Sequence, residues 1–179
     1  ELLGKVQHGH MIKIGYDMYA KLLNDTMRKL KGEKVEIERE IKIDIAITSK
    51  IPYSFVADEA ERLKIIAKIS NITSKDHART VLNELLVAYG KLPPEIYHLT
   101  NIALMKSLAI KHKIKQIIIN KTRMSIVFYD DIDIKVLMKK VERFSHFHFE
   151  NNVLPTIALN PEFLSIQNAI SYFIEFLSA

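Results

Sequence analysis

The chain has 179 residues, no cysteine, 26 lysines and arginines against 21 aspartates and glutamates, and a formal net charge of +5. The lack of cysteine excludes a disulfide framework, cysteine zinc sites and thiol catalysis, and no apolar run approaches the ~20 residues of a membrane-spanning helix. The cations are spread along the chain and interleaved with carboxylates, which reads as a solvated mixed surface more readily than as a nucleic-acid patch.

No secretory leader is visible and thiols are absent, so the cytoplasm is the expected location. Beginning on Glu1, the sequence reads as a piece of a longer protein, with one compact domain and an N-terminal appendage. Its opening, Glu1 to His10, is a polar stretch with Gly4 and Gly9. A helix is expected over residues 14–31, with Ile14, Met18, Leu22, Leu23 and Leu30 on its apolar side and Gly32 placed to cap it. His8 and His10, with no carboxylate nearby, are too few to make a metal site.

Leu2-Leu3-Gly4, Gln7-His8-Gly9-His10 and Ile14-Gly15-Tyr16-Asp17-Met18-Tyr19 resemble the end of the motor region of the transcription-repair coupling factors, the Mfd family. They match the tail of a motif that this family shares with the RecG translocase. The resemblance implies that Gln7, His8, Gly9, His10, Gly15 and Tyr16 belong to a translocation element coupling ATP hydrolysis to movement on duplex DNA. On the residues alone, the same stretch is a glycine-permitted loop entering a helix.

From Val35 the chain alternates, with Val35, Ile37, Ile41, Ile43, Ile45 and Ile47 on one parity. That period of two argues an extended strand with one buried face. Arg39 interrupts it and Pro52 ends it, so residues 34–50 are read as linker and strand, with a domain boundary near Ile51. This leaves residues 1–33 as the tail of the motor region and residues 51–179 as a C-terminal domain.

Asp58 with Glu61 three residues on opens a helix through Leu63, Ile66, Ala67 and Ile69. Ser74 opens the next, on which Ala78, Val81, Leu82, Leu85 and Tyr89 share one stripe. Gly90-Lys91-Leu92-Pro93-Pro94 then makes a short, stiff corner. Residues 94–114 are apolar almost all round a helical wheel, with Ile96, Leu99, Ala103 and Ile110 on one face, so this helix is expected at the centre of the domain.

The resemblance resumes here, in Ile51-Pro52 to Phe55, Arg62-Leu63 and above all Asn83-Glu84-Leu85-Leu86 to Tyr89-Gly90-Lys91-Leu92-Pro93, which are similar to the C-terminal domain of the same family. Members there read acidic, apolar, apolar, acidic, basic, aromatic, glycine. Glu84, Tyr89 and Gly90 fit, whereas Val87 and Ala88 replace the second acid and the base. The resemblance implies an interdomain docking role for Glu84, Val87, Ala88, Tyr89 and Gly90, through a more apolar contact than is usual. A single exposed valine is otherwise ordinary.

Residues 117–119 and 124–129 read as a strand hairpin around Asn120-Lys121-Thr122-Arg123. Asp130, Asp131 and Asp133 suit a helix start, and Lys139, Lys140 and Arg143 its end, which explains them without a metal. In His146-Phe147-His148-Phe149 the phenylalanines face the core and the histidines face outward. Asn160-Pro161 is expected to cap a last helix carrying Phe163, Ile166, Ile170, Phe173, Ile174 and Leu177. The fold expected is α+β: helices packed on a small, mainly antiparallel sheet, with Leu85, Leu99, Ala103, Leu108, Ile126, Phe128, Ile170 and Phe173 buried.

No phosphate-binding loop, nucleophile elbow or zinc-protease helix is present, so no catalytic residue, metal or cofactor is assigned to this chain. The resemblance implies a parent that uses ATP and Mg to displace stalled RNA polymerase from duplex DNA and to recruit nucleotide excision repair. In that parent the domain folds back on a UvrB-like N-terminal module and masks its UvrA-binding surface. The alternative is a stand-alone basic α+β module that binds nucleic acid through Lys121 and Arg123, which salt-dependent DNA binding would reveal.

Overall fold

The computed structural model describes residues 27, 30–32, 39–47 and 49–179. The chain divides into two units, Glu1–Arg39 and Glu40–Ala179. In the first, Met27 and Leu30 are helical, the Lys31 N–H donates to the Met27 carbonyl at 3.1 Å, and Gly32 takes a φ of 78°. That is the left-handed conformation expected of a glycine helix cap. Gln7, His8, Gly9, His10, Gly15 and Tyr16 lie outside the described residues.

The second unit runs β1 (Lys42–Ile45), α1 (Glu59–Ser70), α2 (Lys75–Tyr89), α3 (Pro94–Lys111), β2 (Ile114–Ile119), β3 (Met124–Phe128), α4 (Ile134–Arg143), β4 (His148–Asn151), β5 (Pro155–Leu159) and α5 (Ile166–Ser178). Among the described residues the strands form one sheet of order β1-β2-β3-β5-β4, antiparallel throughout except for the parallel β1–β2 pair. The three helices between β1 and β2 supply the long connection that a parallel pair requires. Because β1 is built into the sheet, the domain begins at Glu40, upstream of the boundary read near Ile51.

Side chains alternate across the sheet as a period of two dictates. Ile43, Ile117, Ile126, Ile157 and Phe149 stand in register across all five strands, and Ile45, Ile119, Met124 and Leu159 form the next row on the same face. This face belongs to the core together with Phe147 and the helices. The opposite face carries the row Asp44, Ile118, Ser125, Ala158 and His148.

The helices start and stop where local chemistry directs. Asp58 Oδ1 accepts from the Ala60 N–H at 2.9 Å and Ser74 Oγ from His77 at 3.0 Å, while Asp133 Oδ1 accepts from Lys135 and Val136 at 3.1 and 3.2 Å. Gly90 ends α2 with a φ of 80°, and Pro93 and Pro94 start α3. Asn120 Oδ1 closes the β2–β3 turn by accepting from the N–H groups of Thr122 and Arg123.

Several expectations are corrected. The α3 helix stops at Lys111, because His112 is extended and Ile114 already pairs with Phe128. Its buried side is Ile96, Thr100, Leu104, Met105, Leu108 and Ala109; Leu99 and Ala103 are only half-buried, and Ile110 is 67% exposed. Thr100 is tolerated in the core because its hydroxyl donates to the Ile96 carbonyl at 2.8 Å. Asn160 and Pro161 cap only a single 3-10 turn, Pro161–Phe163, while the last helix starts at Ile166 under a Ser165 cap. The side chain of Glu61 completes no capping box and turns instead to Tyr89.

Phe173 is wholly buried, with Phe147 against its ring at 5.4 Å between centroids. Replacing it by alanine is expected to cost about 3–5 kcal/mol, whereas Leu99→Ala costs less than about 2 kcal/mol. Urea unfolding of the two variants checks the assignment of the buried and half-buried sides of α3 and α5.

Candidate functional site

The residues singled out on α2 occupy two different situations. Its inner stripe, Ala78, Val81 and Leu85, is buried against the core, which turns Asn83, Glu84, Val87 and Ala88 outward. Glu84 forms an ion pair with Lys68 of α1. Both members are about half exposed, so the pair steers the side chains more than it stabilises the fold. Tyr89 is tied to the same neighbour: its hydroxyl donates to Glu61 Oε2 at 2.7 Å, and its ring lies 5.6 Å from that of Phe55. The hydrogen bond from Tyr89, helped by Lys64, lowers the Glu61 pKa and raises that of the phenol. Gly90 serves the helix end, and Val87 stands 88% exposed.

The surface beside Val87 includes residues that sequence reasoning passed over. Leu86 and Tyr97 are exposed at the mouth of a 350 Å³ cleft between α2 and α3, whose walls also include Leu82, Lys75, Arg79 and Asn101. The signal was present, since Leu86 lies one turn after Leu82, at the margin of the Ala78-Val81-Leu82-Leu85 stripe and outside it. The outward side of α2 thus offers an apolar centre at Leu86 and Val87, with Glu84 towards α1 and Lys75 and Arg79 by the cleft.

The β2–β3 hairpin is built differently. Arg123 does not extend from it; its guanidinium grips both carboxylate oxygens of Glu150 on β4, at 2.7 and 2.5 Å. Between β3 and β4 lies β5, whose Ala158 pairs with Ser125 of β3 and His148 of β4. Asn152 donates to the same carboxylate at 3.2 Å, and His148 lies 3.4 Å away. The hydrogen bonds from Arg123 dominate, and they hold the Glu150 pKa down to about 2. Lys121 is left as the exposed cation of the turn, which weakens the case for the hairpin as a nucleic-acid contact.

The remaining candidates have local partners. Asp133 caps α4 and Asp131 pairs with Lys113 at 3.4 Å. The His146 ring packs on Tyr172 at 4.3 Å. The expected alternation holds, with Phe147 buried, Phe149 half-buried, and His146 and His148 exposed. Among the described residues no three histidine, aspartate or glutamate side chains converge as metal ligands, and no helix is long and apolar enough to cross a membrane.

The family description of the TRCF domain matches residues 45–138, just over half of the chain. The chain belongs to the transcription-repair coupling factor family. It is 31% identical over 105 residues to the transcription-repair-coupling factor of Myxococcus xanthus, covering 59% of this chain and 9% of that protein. The Buchnera aphidicola relative is 31% identical over 150 residues, covering 80% of this chain and 18% of its own length. That of Borreliella burgdorferi is 29% identical over 167 residues, covering 93% and 15%. The chain therefore spans less than a fifth of the length of these relatives. A crystal structure of the C-terminal domain of a transcription-repair coupling factor superposes with a TM-score of 0.68 at 17% identity, over 81% of this chain and 96% of that one. That likeness carries the α+β fold of the family's C-terminal domain.

The Arg123–Glu150 clamp sets an acid limit on stability. The folded pKa of Glu150 is depressed from an ordinary 4.5 to about 2, so its contribution is fully present above pH 4.5 and is lost as pH falls towards 2. Glu150→Gln should lower stability at pH 7 by about 1–2 kcal/mol, screening included, and flatten the loss between those pH values. Thermal melts of both proteins at pH 7 and pH 3 measure the difference.

Proposed function

We propose that this chain is the regulatory C-terminal domain of an ATP-dependent DNA translocase that couples stalled transcription to excision repair. In the whole protein the domain docks on a UvrB-like N-terminal module and masks the surface that binds UvrA. ATP and Mg belong to the motor that precedes it, and this domain contributes no catalytic group. The observation that carries the reading is the outward side of α2, where Leu86 and Val87 form an exposed apolar centre beside a cleft and Glu84 is held in place by Lys68. Docking is expected through Glu84, Val87, Ala88 and the helix end at Tyr89 and Gly90. Tethering gives such a contact a high effective concentration, so a modest area suffices and release can follow when the motor engages RNA polymerase and duplex DNA. Gln7, His8, Gly9, His10, Gly15 and Tyr16 would act in the translocation element, where replacing Gln7 uncouples hydrolysis from movement.

The test uses the intact protein. Val87→Asp places a charge at the centre of the contact without touching the core, and should raise UvrA affinity and basal ATPase together. Glu84→Arg should do the same, and it should still do so when combined with Lys68→Glu, which restores the pair with α1 but not the outward charge. Unchanged UvrA binding and ATPase in Val87→Asp, with folding confirmed by circular dichroism, removes α2 as the docking surface.

A further inference from the structure

A second surface lies on the other side of α3. The half-buried residues of that helix, Leu99, Ile102 and Ala103, together with exposed Ile110, face Ile66 and Ile69 of α1 across a groove of 460 Å³. Leu63, 59% exposed and one turn before Ile66, lies on the same side of α1. One end is closed by polar contacts, since Ser107 Oγ and Lys111 Nζ both donate to the Thr73 carbonyl at 3.1 Å. From Leu99 to Ile110 the wall runs about 16 Å along the helix, the length of about three helical turns. Lys106 stands in the wall, and no aspartate or glutamate lines the groove. Two apolar helix faces lining one groove suit a third helix whose apolar residues recur at i, i+3, i+4 and i+7. The unmatched charge selects which helix.

We infer that the α1–α3 groove is a docking site for an amphipathic helix of a partner protein, one that carries a carboxylate beside its apolar stripe to meet Lys106. The site is separate from the outward side of α2 and does not depend on the autoinhibitory reading.

Two synthetic helical peptides of about fourteen residues, with leucines at those spacings, test it on the full 179-residue chain. One has glutamates flanking the stripe and the other lysines. Methyl and amide shifts should saturate with the acidic peptide at Ile66, Leu99, Ile102 and Ile110, and the basic peptide should bind at least about fivefold more weakly. Lys106→Glu should reverse that preference, and Ile110→Glu, at an exposed position that leaves the core intact, should abolish both. Absence of saturable shifts with either peptide, equal affinity for the two, or shifts confined to another surface would each overturn the inference. A variant that binds as the parent does overturns it as well.

Discussion

The seam between α3 and α5 holds the domain together. Thr100, Leu104, Met105, Leu108 and Ala109 on the first helix are buried in the same core as Ala169, Ile170, Phe173, Ile174 and Leu177 on the second, and this is the most extensive helix–helix contact. Ala109 and Ala169 are both fully buried, and small residues at such a seam let helices approach closely. The seam joins elements from the middle and the end of the chain: α3 runs into β2, and α5 follows β5 in the same sheet. His112, just past the end of α3, reaches the backbone of Leu177 and is pushed below the usual imidazole pKa by burial and by Lys140.

What the sequence made legible was local. Caps at Asp58, Ser74 and Asp133, the glycine at Gly90, the paired prolines and the Asn120 turn all act within a few residues, and each stands where the residue types place it. The exposed position of Val87 followed from the same kind of reasoning, because α2 has one clear apolar stripe. The α3 helix defeated that reasoning. A helix apolar all round has no stripe to read, so Leu99 and Ala103 looked as central as Leu104 and Met105. Strand β5 was missed because all five of its residues are buried, leaving no alternation to mark it. The Arg123–Glu150 and Glu84–Lys68 pairs join residues far apart in sequence, which no local pattern encodes.

These long-range pairs also decide what the surface has to offer. Arg123 and Glu150, Glu84 and Lys68, and Asp131 and Lys113 neutralise one another, so part of the surface charge is matched locally on α1, α2 and around the sheet. The exposed features that stand out are apolar: the α2 side at Leu86 and Val87, and the α1–α3 groove. Exposed apolar surfaces of this kind suit contacts with other proteins.

Thiol labelling reads out whether the outward side of α2 is covered in the whole protein at rest. The chain has no cysteine, so Val87→Cys supplies a single reporter within it. In an intact protein otherwise free of reactive thiols, docking through α2 requires slow modification at rest, rising to the rate of the isolated domain when the N-terminal module is deleted. Equal labelling rates in the intact protein, the deletion variant and the isolated domain would show that α2 stays open, and would refute docking there.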